Sequence, residues 1–441
     1  MKLSDFLGRA LLLGLALVPA GARAGHWPAW RGPDGNGICD ETNLPLRWST
    51  NQNVRWRAAL PEPGNSTPIV WGDRVFITQA VTKENRRTVL CFDRRDGKLL
   101  WQAGTTWTEK DSGGAANPPC TPSPVTDGER VIAWFGSAGL YCFSLDGREL
   151  WRRDLGRQAH GWGYASSPVL YRELCLLNFG PGPRSFLVAL DKRTGRALWQ
   201  RDLPSLPAEA KWEDYGGDLN DWKRLGSPAM PEVTGSCATP VVVRTDAREE
   251  VILPLPLRVM AFSPQTGEVL WSCDGLNTGA YSSACHGDGL VGVTGNGLRN
   301  AALVVRPGGQ GNVTATHRLW HLAPPGSKSC IGSGVISEGR LYQATMMGFA
   351  WCLDLRTGQT LWEERLTGGA AKNSCWSSPI LAGDRLYVSN QSGDVFVLRT
   401  GPRFECLATN SIGGESMNAS LAASQGALFL RSHRHLWCLA Q

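Results

Sequence analysis

Asp96-Gly-Lys-Leu-Leu-Trp101 is one of five copies of a single phrase, with Asp146-Gly-Arg-Glu-Leu-Trp151, Thr194-Gly-Arg-Ala-Leu-Trp199, Thr266-Gly-Glu-Val-Leu-Trp271 and Thr357-Gly-Gln-Thr-Leu-Trp362. Glycine and tryptophan stand four apart in every copy, and the pattern returns every 40 to 50 residues wherever the units are unbroken. Upstream of most copies lies a second phrase, a Ser/Thr-Pro start followed by a β-branched run and a tight turn. It reads Ser66-Thr-Pro-Ile-Val-Trp-Gly-Asp-Arg-Val-Phe76, Ser123-Pro-Val-Thr-Asp-Gly-Glu-Arg-Val-Ile132, Ser166-Ser-Pro-Val-Leu170, Thr239-Pro-Val-Val-Val243 and Ser377-Ser-Pro-Ile-Leu-Ala-Gly-Asp-Arg-Leu-Tyr387. Gly-Asp and Asp-Gly supply the positive φ that a two-residue hairpin needs, and Pro at a strand start fits an edge position.

Each unit therefore reads as four short antiparallel strands, a unit that cannot bury both its faces alone. Blades of this kind stack around an axis, so the fold expected is an all-β, eight-bladed β-propeller, with seven as the alternative count. The recurring Trp56, Trp101, Trp151, Trp199, Trp271, Trp320 and Trp362 are expected to wedge between neighbouring blades. Weaker units run from Tyr281 to Trp320 and from Ser378 to about Phe404. The last unit, Ala419 to Leu439, stops before its Trp strand, while Asn53-Val-Arg-Trp-Arg57 is a Trp strand without a blade. Joining the two closes the ring and removes its open edges.

Outside the repeats, residues 1–24 read as a cleavable signal peptide: Lys2 and Arg9, the apolar run Ala10 to Val18, then Ala22-Arg23-Ala24. The expected mature chain begins near Gly25, in the periplasm or secreted. It has an N-terminal segment over 25–52 and a single propeller domain over 53–441, interrupted by an insert at about 204–236. The apolar run is too short for a membrane helix, and no comparable stretch follows. Without the leader, 42 basic residues face 38 acidic ones with no basic run, so nucleic acid is not an expected partner. Glycine (52), proline (27) and tryptophan (19) are abundant, as turns and short strands require. Four of the 13 cysteines, Cys91, Cys142, Cys352 and Cys438, share one repeat position where a small buried side chain suffices.

These motifs resemble the pyrroloquinoline-quinone-type propeller repeat, in which a Ser-Pro strand, a Gly-Asp turn, a Leu-Asp-x-x-Thr-Gly turn and a Leu-Trp strand recur. The resemblance spans nearly the whole mature chain. Trp27-Pro-Ala-Trp-Arg-Gly-Pro-Asp-Gly-Asn-Gly37 resembles the opening segment of a group of exported bacterial proteins built from this repeat, related in fold to the outer-membrane assembly lipoprotein BamB. The family implies either a quinone-dependent dehydrogenase with calcium in the central channel or a non-catalytic scaffold. The sequence has no adjacent Cys-Cys pair and no Cys-x-x-Cys-His, and it is shorter than those dehydrogenases; it also lacks the lipobox Cys of BamB.

Candidate binding residues gather in three places. The insert holds Trp212, Glu213, Asp214, Tyr215, Asp218, Asp221 and Trp222, aromatics interleaved with acids that would suit a cation, a sugar or a protein partner, or would pack as a plain surface loop. His160, Trp162 and Tyr164 precede a Ser-Ser-Pro strand near one channel mouth, and Trp376 precedes another. Cys120, Cys237, Cys330 and Cys375 hold like positions, where thiolates would bind a soft metal or small side chains are merely tolerated. His433 and His435 would share a strand face and supply two metal ligands, too few for a site. The leading expectation is a monomeric, non-catalytic scaffold for a protein or small polar ligand, with no cofactor and no resident metal. A quinone-dependent oxidoreductase and a polysaccharide hydrolase or lyase are the alternatives.

Overall fold

The computed structural model describes residues 25–109, 117–204, 235–276, 279–294, 301–322, 328–369 and 373–441. Eight sheets, each built on four antiparallel strands, follow one another along the chain. Blades 1 to 7 span 69–106, 125–153, 169–202, 241–274, 285–322, 335–365 and 380–411. Blade 7 closes with Cys406–Ser411, just beyond the limit expected at Phe404. Blade 8 takes three strands from 422–440 and its fourth from Val54–Ala59, which pairs antiparallel with His435–Ala440 so that Trp56 faces Cys438. The ring is eight-bladed, as the repeat count requires, and the alternative of seven is excluded.

The four strands of blades 1 to 7 run in sequence order from the axis outward, blade 8 takes its outermost strand from Val54–Ala59, and first strands of neighbouring blades touch, as in blades 1 and 2, 2 and 3, and 8 and 1. Between third and fourth strands every blade carries a one-residue bulge, which in all but blade 7, where Ala408 takes the place, sits at the residue before the recurring Trp. The bulge leaves Leu100, Leu150 and Leu198 out of the pairing and more than 40% exposed. The next residue, the Trp, turns toward the neighbouring blade. Its partner across the strand is always small or β-branched: Cys91, Cys142, Cys352 and Cys438 stand opposite Trp101, Trp151, Trp362 and Trp56, and Ala189 and Ala261 stand opposite Trp199 and Trp271.

All but Trp271 land on a Gly-containing turn of the next blade. The Trp56 indole N–H donates to the Arg94 carbonyl at 2.8 Å, Trp101 to Leu145 at 2.9 Å, Trp151 to Lys192 at 3.1 Å, Trp199 to Pro264 at 3.0 Å and Trp320 to Leu355 at 2.9 Å. The indole plane covers the turn glycine so closely that a Cβ on Gly97 or Gly195 would sit 2.5 Å from it. Gly97 (φ 74°) and Gly195 (φ 67°) are thus required twice, for the left-handed backbone and for the docking. The preceding Asp fixes the turn: the Asp191 carboxylate accepts from the Arg193 and Thr194 amides and from the Thr194 hydroxyl at 2.8–3.0 Å, and these bonds hold its pKa below the usual range.

Blade 5 has no such turn, and its partner in blade 4 is rewired. Trp271 donates instead to the carboxylate of Glu250, which is fully buried and also accepts from Arg248 Nε, both at 2.8 Å. Gly311–Asn312 adds a parallel strand to the outer edge of blade 4 where a turn would otherwise dock.

Candidate functional site

In a blade of this topology the turns joining strands one to two and three to four lie on one face of the ring. The connections between blades lie on the other. Residues 25–48 occupy the first of these faces. Trp27 exchanges two backbone bonds with Val70 of blade 1, at 2.8 and 2.9 Å, and the Pro28 carbonyl accepts from Thr126 of blade 2. The Asp34 carbonyl meets His286 of blade 5 at 3.0 Å, and Ile38–Cys39 pairs in parallel with the first strand of blade 7. The Glu41 carboxylate takes the Gln425 and Gly426 amides of blade 8. The segment therefore crosses the axis and covers one end of the channel, a role that the sequence did not disclose.

Arg31 sits at the centre of this cover, 1% exposed. Its guanidinium donates to four carbonyls, Gly35 and Asn36 within the segment and Ser333 (2.7 Å) and Gly334 at the first strand of blade 6. Burial lowers its pKa to about 10, so it stays charged.

Around the axis runs a closed circle of hydroxyls. The amide of Thr67 donates to the Ser123 hydroxyl, Ser123 to Ser167, Ser167 to Thr239, Thr239 to Ser283, Ser283 to Ser333, Ser333 to Ser378 and Ser378 to Ser420, at 2.8–2.9 Å. Ser420 returns to Thr67 at 3.2 Å. Each blade gives one hydroxyl, at the position just before its first strand. This is what the Ser/Thr of the Ser/Thr-Pro phrase does.

The opposite face carries the connections between blades, and with them most of the residues singled out in the sequence. Trp162 is 40% exposed, its carbonyl held by the Asn117 side chain at 2.7 Å. Tyr164 is buried instead: its ring packs on Trp134 and its hydroxyl accepts the Cys120 amide at 3.3 Å, which leaves it no surface to offer a ligand. Trp376 is half-buried, with its indole N–H on the Ser374 hydroxyl. The insert residues Trp212, Asp214, Tyr215, Asp218 and Trp222 lie outside the described residues; the chain leaves blade 3 at Pro204 and is described again from Gly235. On the same face a cleft of about 500 Å³ opens between blades 1 and 2, lined by Trp107, Glu109, Tyr141, Arg152, Arg153 and Arg157.

His160 is buried, with its Nδ1 on the Trp162 amide. Burial pulls its pKa down to about 4, against 6.5 when free, so it is neutral at pH 7. Between those values the unfolded chain binds a proton that the folded protein refuses, so the stability His160 confers falls as pH drops from 6.5 toward 4. Urea denaturation at pH 7.5 and 4.5 should show wild type losing about 2–3 kcal/mol more than His160→Gln. Equal losses in both proteins would mean that the imidazole is protonated in place.

Among the described residues no three His, Cys, Asp or Glu side chains gather as a ligand set. All 13 cysteines are described and free, and burial raises the thiols of Cys237, Cys330 and Cys375 to about 12. His433 is not on the strand with His435: it lies in the bend before it and faces Asn65 at 3.3 Å, while His435 Nδ1 meets Glu415 at 2.8 Å.

A sequence model of the family described as outer membrane protein assembly factor BamB matches residues 47–161, 88–318 and 258–402, overlapping spans that cover most of the chain. No curated protein matches it. The crystal structure of BamB from Moraxella catarrhalis superposes with a TM-score of 0.57 at 13% identity, over 87% of this chain and 96% of that one. The computationally designed Ika8 protein gives a TM-score of 0.57 at 13% identity, over 88% and 99%. The quinohemoprotein alcohol dehydrogenase from Comamonas testosteroni reaches a TM-score of only 0.47 at 11% identity, over 95% and 81%. At these identities the likeness is one of fold.

Proposed function

Since the chain belongs to the family described as outer membrane protein assembly factor BamB, we propose that it is a non-catalytic scaffold of the periplasm or another exported space, which holds a protein partner. The face that carries the connections between blades is the one it presents. The observation behind this reading is the placement of residues 25–48: the chain covers one face of its own ring and leaves to the other the exposed Trp162, the arginine-lined cleft and both ends of the 205–234 insert. Connecting segments on a rigid ring are where binding residues are best placed, because they vary without disturbing the sheets. Aromatic and arginine side chains of this kind anchor protein interfaces. No helix among the described residues is long and apolar enough to cross a membrane.

Replacing 205–234 with a short Gly-Ser linker, and separately Trp162→Ala, tests the assignment. Both variants should keep the melting temperature of the parent within a few degrees and lose at least tenfold in partner capture from a periplasmic extract. Unfolding of the linker variant, or undiminished capture by both, would move the partner elsewhere on the ring. The quinone alternative is tested by titrating the metal-stripped protein with pyrroloquinoline quinone and calcium, where saturable tight binding would replace the scaffold reading.

A further inference from the structure

The hydroxyl ring and Arg31 bring hydrogen-bond donors together at the centre of the propeller. Each of Thr67, Ser123, Ser167, Thr239, Ser283, Ser333, Ser378 and Ser420 is at most 5% exposed, and each hydroxyl accepts one amide of the ring. Its own O–H proton has no acceptor among the described residues. A hydroxyl that accepts one bond still carries a donor that must go somewhere, and an unmet buried donor is costly. Eight such donors encircle one axis.

Arg31 adds a full positive charge. Four of its five N–H groups bind carbonyls, one of them the carbonyl of the ring residue Ser333, and the fifth, on Nη1, has no acceptor among the described residues. Carbonyl dipoles solvate this charge without neutralising it, and no carboxylate pairs with it among the described residues. A buried charge without a counter-charge is among the most costly arrangements in a protein. Water would satisfy the hydroxyls and leave the charge as it is.

We infer that the channel at the hydroxyl ring, beside the Arg31 guanidinium, is a binding site for a small oxyanion of the phosphate, sulfate or carboxylate class. Such an ion offers several acceptor oxygens to the ring donors and the charge that Arg31 lacks, and a guanidinium N–H suits a phosphate or carboxylate oxygen. The site is independent of the scaffold reading, since it lies inside the ring and not on the partner face. With residues 25–48 covering one end of the channel and the ring residues at most 5% exposed, the ion is best loaded during folding.

The protein is unfolded in urea and refolded in separate buffers containing phosphate, sulfate, acetate or chloride alone at equal ionic strength. After desalting, the phosphate-refolded sample is acid-denatured and its phosphate counted. About one phosphate per chain is expected, with less than a tenth of that in Arg31→Gln. Melting temperatures of the oxyanion samples should exceed that of the chloride sample, and the order among phosphate, sulfate and acetate identifies which class fits. If Arg31→Gln does not fold, the wild-type arms decide alone. No retained phosphate together with equal melting temperatures in all four buffers overturns the proposal, as does equal retention by Arg31→Gln.

Discussion

Trp56→Ala is expected to lower the stability of the protein by about 3–5 kcal/mol. Trp56 belongs to the strand that the N-terminal part of the chain lends to blade 8, and it is only 8% exposed. Its indole touches two blades at once, tilted against Phe429 of blade 8 at 6.1 Å and laid over Gly97 of blade 1, with its N–H on the Arg94 carbonyl. Alanine would open a cavity between the blades and strand a carbonyl. Equilibrium urea denaturation measures the loss, and limited proteolysis should show the 54–59 strand cut sooner than in a Trp151→Ala control, whose strand is the fourth of blade 2 and continuous in sequence with that blade. A loss below about 1 kcal/mol would mean that backbone pairing closes the ring unaided.

Glu250→Ala should cost as much, again about 3–5 kcal/mol, through a different cause. The carboxylate is fully buried and receives the Trp271 indole, Arg248 Nε and the Gly308 amide, the last at 3.3 Å. Removing it abandons a guanidinium, an indole N–H and an amide in the junction where blade 5 has no docking turn. Glu250→Gln keeps an acceptor and should cost about 1–2 kcal/mol. A double-mutant cycle with Trp271→Phe isolates the indole contact. If the alanine variant were no worse than the glutamine variant, the carboxylate's charge and its bonds would be incidental to that junction.

The fold was legible because its two determinants are local. The Gly-to-Trp spacing encodes a turn and the residue that docks on the next turn, and the Ser/Thr-Pro phrase marks where each blade begins. Closure was legible too, since Trp56 had a strand pattern and no blade, and the last unit had a blade and no Trp strand. What the sequence concealed lies in contacts between distant residues whose types carry no signal. Arg31 meets carbonyls some 300 positions away, and carbonyls are present at every residue. The hydroxyl ring was half visible. The Ser/Thr-Pro phrase drew attention to proline, yet blades 5, 6 and 8 begin Ser283-Ala284, Ser333-Gly334 and Ser420-Leu421, and it is the hydroxyl that the eight blades have in common. Glu250 gave no hint of its role because the turn it replaces is defined by absence. Of the candidate site, the exposed Trp162 could be foreseen from its loop. The burial of Tyr164 could not, because it depends on Trp134 in the neighbouring blade and on the Cys120 loop.

The pairing of Val54–Ala59 with His435–Ala440 also sets a timetable. A ribosome makes the first of these strands before the seven blades and the second after them, so the early strand waits through the synthesis of seven blades without its mate. Until Ala440 is available the ring cannot shut, and residues 25–48 have no complete rim to lie across. A chain built this way remains threadable while it is being made, and becomes a closed body only when residues 435–440 arrive. Ribosome-arrested chains ending before residue 435 would accordingly be protease-sensitive throughout blade 8, whatever the state of the blades already formed.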